Sequence, residues 1–387
     1  MAGWIIAAAL AGAALGAGAS DRLAPLPPYG TAYTPTTVDE RGLWQQADEA
    51  ERNLRDSPAV VRDAALNAYL TKVLCRSVGA DRCRGVRIYV VRAPVFNASM
   101  TPNGMMVVYT GALLRLRDEA ELAALLGHEF GHFEMRHTLA SFRRGRTIGD
   151  IIAWTSVLSP YSTLPASLIQ LHFSYNRAQE AEADLMGLRY LAAAGYRPLA
   201  ASRIWERLMA EQDATALGRK RHVTHRYSAG FFADHPTELA RATYLREAAG
   251  ADGERGDDSR DAFLTAMRPW RATFLADQIK LNDFGGSEYL LGELAGGQWT
   301  PDLLLTRGEL YRERGNPRDL VSAAQFYQQA IDAGCTDPIA WRGLGLSLLR
   351  GQQEAAGRAA LKTYLARAPQ ASDRAAMAML IGEGGVQ

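Results

Sequence analysis

Two histidines four residues apart, with a glutamate directly after the first, stand in the run His128-Glu129-Phe130-Gly131-His132. Around them Leu122, Leu125, Leu126 and Phe130 recur on successive turns, so the spacing predicts a helix over Glu119–His137. Residues four apart on a helix share a face, and both imidazoles then point at one ion. Zinc suits imidazole, and a catalytic zinc keeps one coordination position for water. Glu129 lies beside that face, where its carboxylate can take a proton from such a water. The plain alternative is a pair of surface histidines. The apolar flanks and the small Gly127 and Gly131 argue against it.

Two histidines do not make a stable hydrolytic site, and a third protein ligand is needed. The segment NRAQEAEADLMGLRYL lies in a second expected helix, Arg177 to Gly195, and offers Glu180, Glu182 and Asp184. Glu180 and Asp184 share a face, whereas Glu182 points elsewhere. A carboxylate from this helix would complete a His2Glu set, and Asp184 could accept the outer N–H of a ligand histidine. Taken alone, the acidic run reads as a solvated face. His137 falls off the metal-binding face and is expected to cap or pack the helix end. His222 and His225, in RKRHVTHR, read as part of a solvated basic loop rather than a minor metal site.

The surrounding elements follow from periodicity and turn chemistry. From Leu43 to about Val78 the apolar spacing suits amphipathic helices. Arg87–Val91 and Met105–Tyr109 favour strands and flank the turn residues Pro102-Asn103-Gly104, the pattern of a hairpin. Ile151–Asn176 carries no Asp, Glu, Lys or Arg; its prolines and many Ser and Thr favour a buried or lid-like segment over a membrane span. Gly250–Asp261 reads as a solvated linker or loop tip. Beyond Thr300 two helical hairpins are expected, and Arg307-Gly308 recurs as Arg342-Gly343, a shift of 35 residues close to the tetratricopeptide period.

Four motifs in order make the sequence resemble the HtpX/Ste/Oma-type family of gluzincin metalloproteases, closest to its periplasmic BepA (YfgC)-type branch with a tetratricopeptide tail. They are FNASMTPNGMMVVYTGALL, ELAALLGHEFGHFEMRH, YNRAQEAEADLMG and HPTELAR, within Val73–Leu245. The resemblance implies one Zn2+ per chain held by His128, His132 and Glu180, with Asp184 behind them and Glu129 as general base. It implies that His235 and Arg241 face the cleft, His235 near zinc or substrate and Arg241 on the scissile carbonyl or oxyanion. It also makes the strand at Asn97 and Ala98 an edge to which an extended substrate adds by main-chain hydrogen bonds. Asn176 and Gly127 depart from the Ser and Ala usual in relatives, and neither is a ligand.

The expected fold is mainly α with a small β-sheet (α+β): a zincin-like gluzincin metalloprotease domain followed by an α-helical, tetratricopeptide-like tail. The expected divisions are a signal peptide 1–19, an extended leader 20–42, the protease domain 43–250, a connector 251–300, repeats 301–370 and a C-terminal tail 371–387. The implied activity is hydrolysis of unfolded or misassembled cell-envelope proteins, the tail docking on outer-membrane assembly machinery. Two other classes compete: a zinc-binding chaperone or adaptor scaffold, and a membrane-embedded processing protease.

Composition bounds these readings. The chain has 387 residues, 48% hydrophobic and 22% charged, an ordinary globular balance. Its formal net charge of +1 provides no field for nucleic acid. The first twenty residues are uncharged, and Ala17-Gly18-Ala19 has the form of a signal cleavage site, so export to the periplasm or its membrane periphery is expected. Of three cysteines, Cys75 and Cys83 are close enough to form a disulfide in an exported protein, whereas in cytosol they would stay thiols.

Overall fold

The computed structural model describes residues 26–27, 29–30, 34–148, 175–223 and 238–382, with no side-chain account of 144–148. His225, His235 and nearly all of Ile151–Asn176 lie outside the described residues, as do the segment read as signal peptide and part of the leader.

Helix α1 (Val38–Asp56) begins inside the stretch read as extended leader. Thr37 and Glu40 form a reciprocal capping box there, which satisfies the first free N–H groups of the helix. Helix α2 (Ala64–Val78), capped by Asp63, and the short α3 (Ala80–Cys83) follow. Cys75 and Cys83 are joined in a disulfide across the α2–α3 turn. Arg82 from that loop reaches Glu134 at 3.1 Å, the last residue of the helix carrying the histidine pair.

Strands β1 (Arg87–Val91) and β3 (Met105–Tyr109) occupy the expected residues but do not form a hairpin with each other. They run parallel, and the hairpin partner across Pro102-Asn103-Gly104 is β2 (Ala98–Met100), antiparallel to β3 in the order β1-β3-β2. The turn falls where expected, and its first arm is the short β2 rather than β1. Three residues of strand are too short to show a period of two, whereas the longer run upstream shows it. β3 is buried along its whole length, and β2 is an edge of the sheet.

After α4 (Thr110–Arg115), helix α5 (Glu119–Glu134) starts at the Asp118 N-cap. It does not run to His137. The chain turns at Met135 and Arg136, whose φ of 57° is left-handed, and α6 begins at His137 and runs to Ile148. Helix α7 (Arg177–Ala193) is opened by a capping box between Asn176 and Gln179 and packs along α5. Helices α8 (Ala200–Gly218) and α9 (Glu238–Ala249) complete this layer.

The stretch after Gly250 is a mostly exposed, turn-rich loop, as expected, but it is also docked. Asp257 N–H donates to the Gly195 carbonyl, and the Asp258 carbonyl accepts from Glu119 N–H at 3.0 Å, so this loop caps the start of α5. A charged, Gly-rich run signals a turn, and the sequence does not say what the turn docks on. One apolar core continues from Val61 to Leu310, through α10 (Arg260–Met267), α11 (Arg271–Ile279), α12 (Phe284–Ala295) and into α13 (Pro301–Arg314). Helices α13 and α14 (Pro317–Asp332) form one antiparallel hairpin; α15 (Ile339–Arg350) and α16 (Glu354–Arg367) form the next. The recurring Gly308 and Gly343 have a packing reason: a Cβ on either would collide with the ring of Tyr327, which lies against both. Among the described residues no helix is long and apolar enough to cross a membrane.

Candidate metal centre

Helices α5 and α7 approach closely because the facing residues are small. A Cβ on Gly187 would lie 3.1 Å from the His128 backbone nitrogen, and one on Gly131 would lie 3.2 Å from the Ala183 carbonyl. Gly187→Ala is therefore expected to destabilise by about 1–3 kcal/mol through overpacking. Gly127→Ala, whose Cβ meets the Tyr190 ring at 3.4 Å, is expected to be neutral or to stabilise by up to about 1 kcal/mol through helix propensity. Chemical denaturation of the two variants checks the contrast, and equal losses would contradict it.

That approach brings His128, His132 and Glu180 together. The two Nε2 atoms are 3.1 Å apart. Glu180 lies 3.6 Å from His128 Nε2 and 3.4 Å from His132 Nε2. All three donor atoms fall within 4.8 Å of one another, so the trio could hold one metal ion. Glu180 is fully buried and sits in the first turn of α7, where the helix dipole favours a carboxylate. Burial pushes His132 down to about 3, so it stays neutral, the form that binds metal. Glu129, on the same turn as His128, is 8% exposed.

Behind this face lies a charged layer. Asp184 accepts from His128 Nδ1 at 2.8 Å, and Tyr244 donates to the same carboxylate. Arg241 of α9 grips Asp184, its Nε 2.7 Å from Oδ2, while its Nη1 lies 3.5 Å from Glu180. The guanidinium also stacks over Trp205 at 3.7 Å. Burial opposes ionisation of Asp184, yet Arg241 and His128 hold its carboxyl well below the usual range. For His128 burial acts against the charged form, and Asp184 more than offsets it, raising the imidazole. A more basic imidazole is a better metal ligand.

Two neighbours were not anticipated. His137 is neither a cap nor plain packing: its Nδ1 is 2.9 Å from His132 Nδ1, and its Nε2 is 3.2 Å from Glu182. The left-handed turn at Arg136, invisible in helical spacing, swings it there. Tyr175 stacks on the His132 ring at 3.8 Å and 14°, with its hydroxyl 2.9 Å from Thr138. Its only signal in the sequence is an aromatic directly before the α7 cap. Asn97 and Ala98 lie at the sheet edge: the Asn97 carbonyl accepts from Tyr109 N–H, and β2 packs against α5.

A HExxH helix facing a carboxylate from the next long helix is the donor arrangement of a gluzincin-type metallopeptidase domain. Residues 60–249, just under half of the chain, match the model of Peptidase family M48. The chain is similar to mitochondrial metalloendopeptidase OMA1 of Arabidopsis thaliana, 32% identical over 164 residues, 42% of this chain and 31% of the relative. It is similar to a putative beta-barrel assembly-enhancing protease of Vibrio cholerae, 28% identical over 202 residues, 48% and 41% of the two chains. Metalloprotease LoiP of Escherichia coli is 28% identical over 178 residues, 43% of this chain and 64% of the relative. The chain thus spans less than two thirds of the length of these relatives.

Proposed function

We propose that the protein is a zinc-dependent metalloendopeptidase that hydrolyses unfolded or misassembled proteins of the cell envelope. The observation that carries the reading is the convergence of two imidazoles and one buried carboxylate on a single point, inside the segment that matches Peptidase family M48. Two neutral imidazoles and a carboxylate are the donor set that suits one catalytic zinc. Zinc bound there supplies Lewis-acid polarisation of a scissile carbonyl and a water of lowered pKa. In this reading His128, His132 and Glu180 hold the ion, and Asp184 orients His128 through its Nδ1–H. Glu129 takes a proton from the attacking water and returns it to the leaving amine. Arg241 acts first on Asp184; a direct role on the oxyanion, like the role of His235, belongs to the family resemblance.

Strand β2, an edge of the sheet among the described residues, gives an extended peptide a place to pair, main chain to main chain, from Asn97 and Ala98. Backbone pairing reads side chains weakly and suits unfolded segments. The stacked hairpins α13–α16 have the repeat length of a tetratricopeptide array, and we assign them a docking role for an assembly partner. A periplasmic location is supported by the Cys75–Cys83 disulfide, which fits an oxidising compartment, and by the beta-barrel assembly-enhancing relative.

The test is metal content with casein hydrolysis on the purified chain. One zinc per chain is expected, with activity abolished by chelation and restored by zinc. Hydrolysis that persists after the metal has been removed would overturn the reading.

A further inference from the structure

We infer that His137 and Glu182 form a hydrogen-bond relay behind His132 that sets its tautomer, making His137 a positioning residue whose far end is a solvent-facing carboxylate. The inference rests on the zinc reading above. An ionised carboxylate only accepts hydrogen bonds. Glu182 Oε2 lies 3.2 Å from His137 Nε2, so that nitrogen carries the proton. A neutral His137 then accepts at Nδ1, which lies 2.9 Å from His132 Nδ1. His132 must donate from Nδ1, which leaves its Nε2 lone pair turned toward His128 and Glu180.

The two ligand imidazoles are therefore held by different means. His128 is held by Asp184, whose side chain is 4% exposed, and His132 by a chain ending at Glu182, whose side chain is 62% exposed. The stack of Tyr175 on His132 restrains the tilt of the ring but does not choose between its two nitrogens. The hydrogen bond to His137 acts on that choice from the Nδ1 side, opposite the Nε2 that faces His128 and Glu180. The geometry depends on the break at Arg136: on an unbroken helix, position 137 would lie away from position 132.

Zinc affinity of the full chain, measured by competition with a chromophoric chelator, tests the relay. Loss of a group behind a ligand typically costs about 10–100-fold in metal affinity, and that loss is expected for His137→Ala. His137→Asn loses the same ring packing but keeps an acceptor near the Nδ1 position, and is expected to recover most of the affinity. Glu182→Ala, at an exposed site with little packing to lose, is expected to weaken zinc by roughly 3–10-fold, below the range for removing the direct partner. The absorption spectrum of the cobalt-substituted protein is expected to shift in His137→Ala and to return in His137→Asn. Wild-type affinity in His137→Ala, or an Asn variant as weak as the Ala variant, overturns the relay. If His137→Ala does not fold, unchanged affinity in Glu182→Ala overturns it. A wild-type chain that binds no zinc removes the metal reading itself, and the relay with it.

Discussion

Glu129→Gln is expected to retain its zinc and to lose about a hundred- to ten-thousand-fold in peptide hydrolysis, the range for removal of a general acid–base group. The substitution keeps the size and hydrogen-bonding reach of the side chain but removes its ability to accept a proton. Glu129 is buried beside His128 on α5 and is not one of the three clustered donors, so metal binding has no reason to change. Parallel measurement of zinc content and casein cleavage separates the two effects. A variant within ten-fold of wild type would remove Glu129 as the base, and a variant lacking zinc would make it a ligand.

Arg241→Met is expected to cost about 3–5 kcal/mol of stability, because it leaves a buried carboxylate without its main cationic partner. Asp184 is 5% exposed and Arg241 likewise 5%, so water cannot replace the lost contact. Removing both charges, in Arg241→Met with Asp184→Asn, should recover part of the loss, and the double-mutant cycle isolates the coupling. The pH dependence has a definite sign. The folded pKa of Asp184 lies below its unfolded value of 3.8, so the pair stabilises fully above about pH 4 and loses its contribution as the pH falls through the folded pKa. The gap in thermal midpoint between wild type and Arg241→Met should therefore be wide at neutral pH and narrow in acid. A gap that does not narrow would mean that Arg241 stabilises mainly by packing on Trp205.

How much of this was legible in the residues depends on the distance over which each feature is determined. The start of the helix carrying His128 and His132, the strand ranges Arg87–Val91 and Met105–Tyr109, and the turn at Pro102-Asn103-Gly104 are legible in the residues, though that helix ends at Glu134, short of the expected His137. Each is written in spacing over a few residues. The pairing of those strands was not, because parallel and antiparallel partners share one alternation pattern. The loop after Gly250 is solvated as its composition suggests, but composition marks a turn and not its docking on the start of α5.

Within the site, local spacing determined that two imidazoles share a face with a glutamate beside them, since the helical repeat alone puts them there. It equally set Glu180 and Asp184 on one side of α7. Tertiary structure decided the rest. The small residues at the α5–α7 contact bring Glu180 within 3.6 Å of both histidines, and α9 delivers Arg241 to Asp184 from 57 residues away. The left-handed turn at Arg136 put His137 behind His132, where helical extrapolation had sent it elsewhere. A repeat of 3.6 residues propagates faithfully along one helix, but it carries no information past the residue where that helix ends, nor on the angle at which another packs against it.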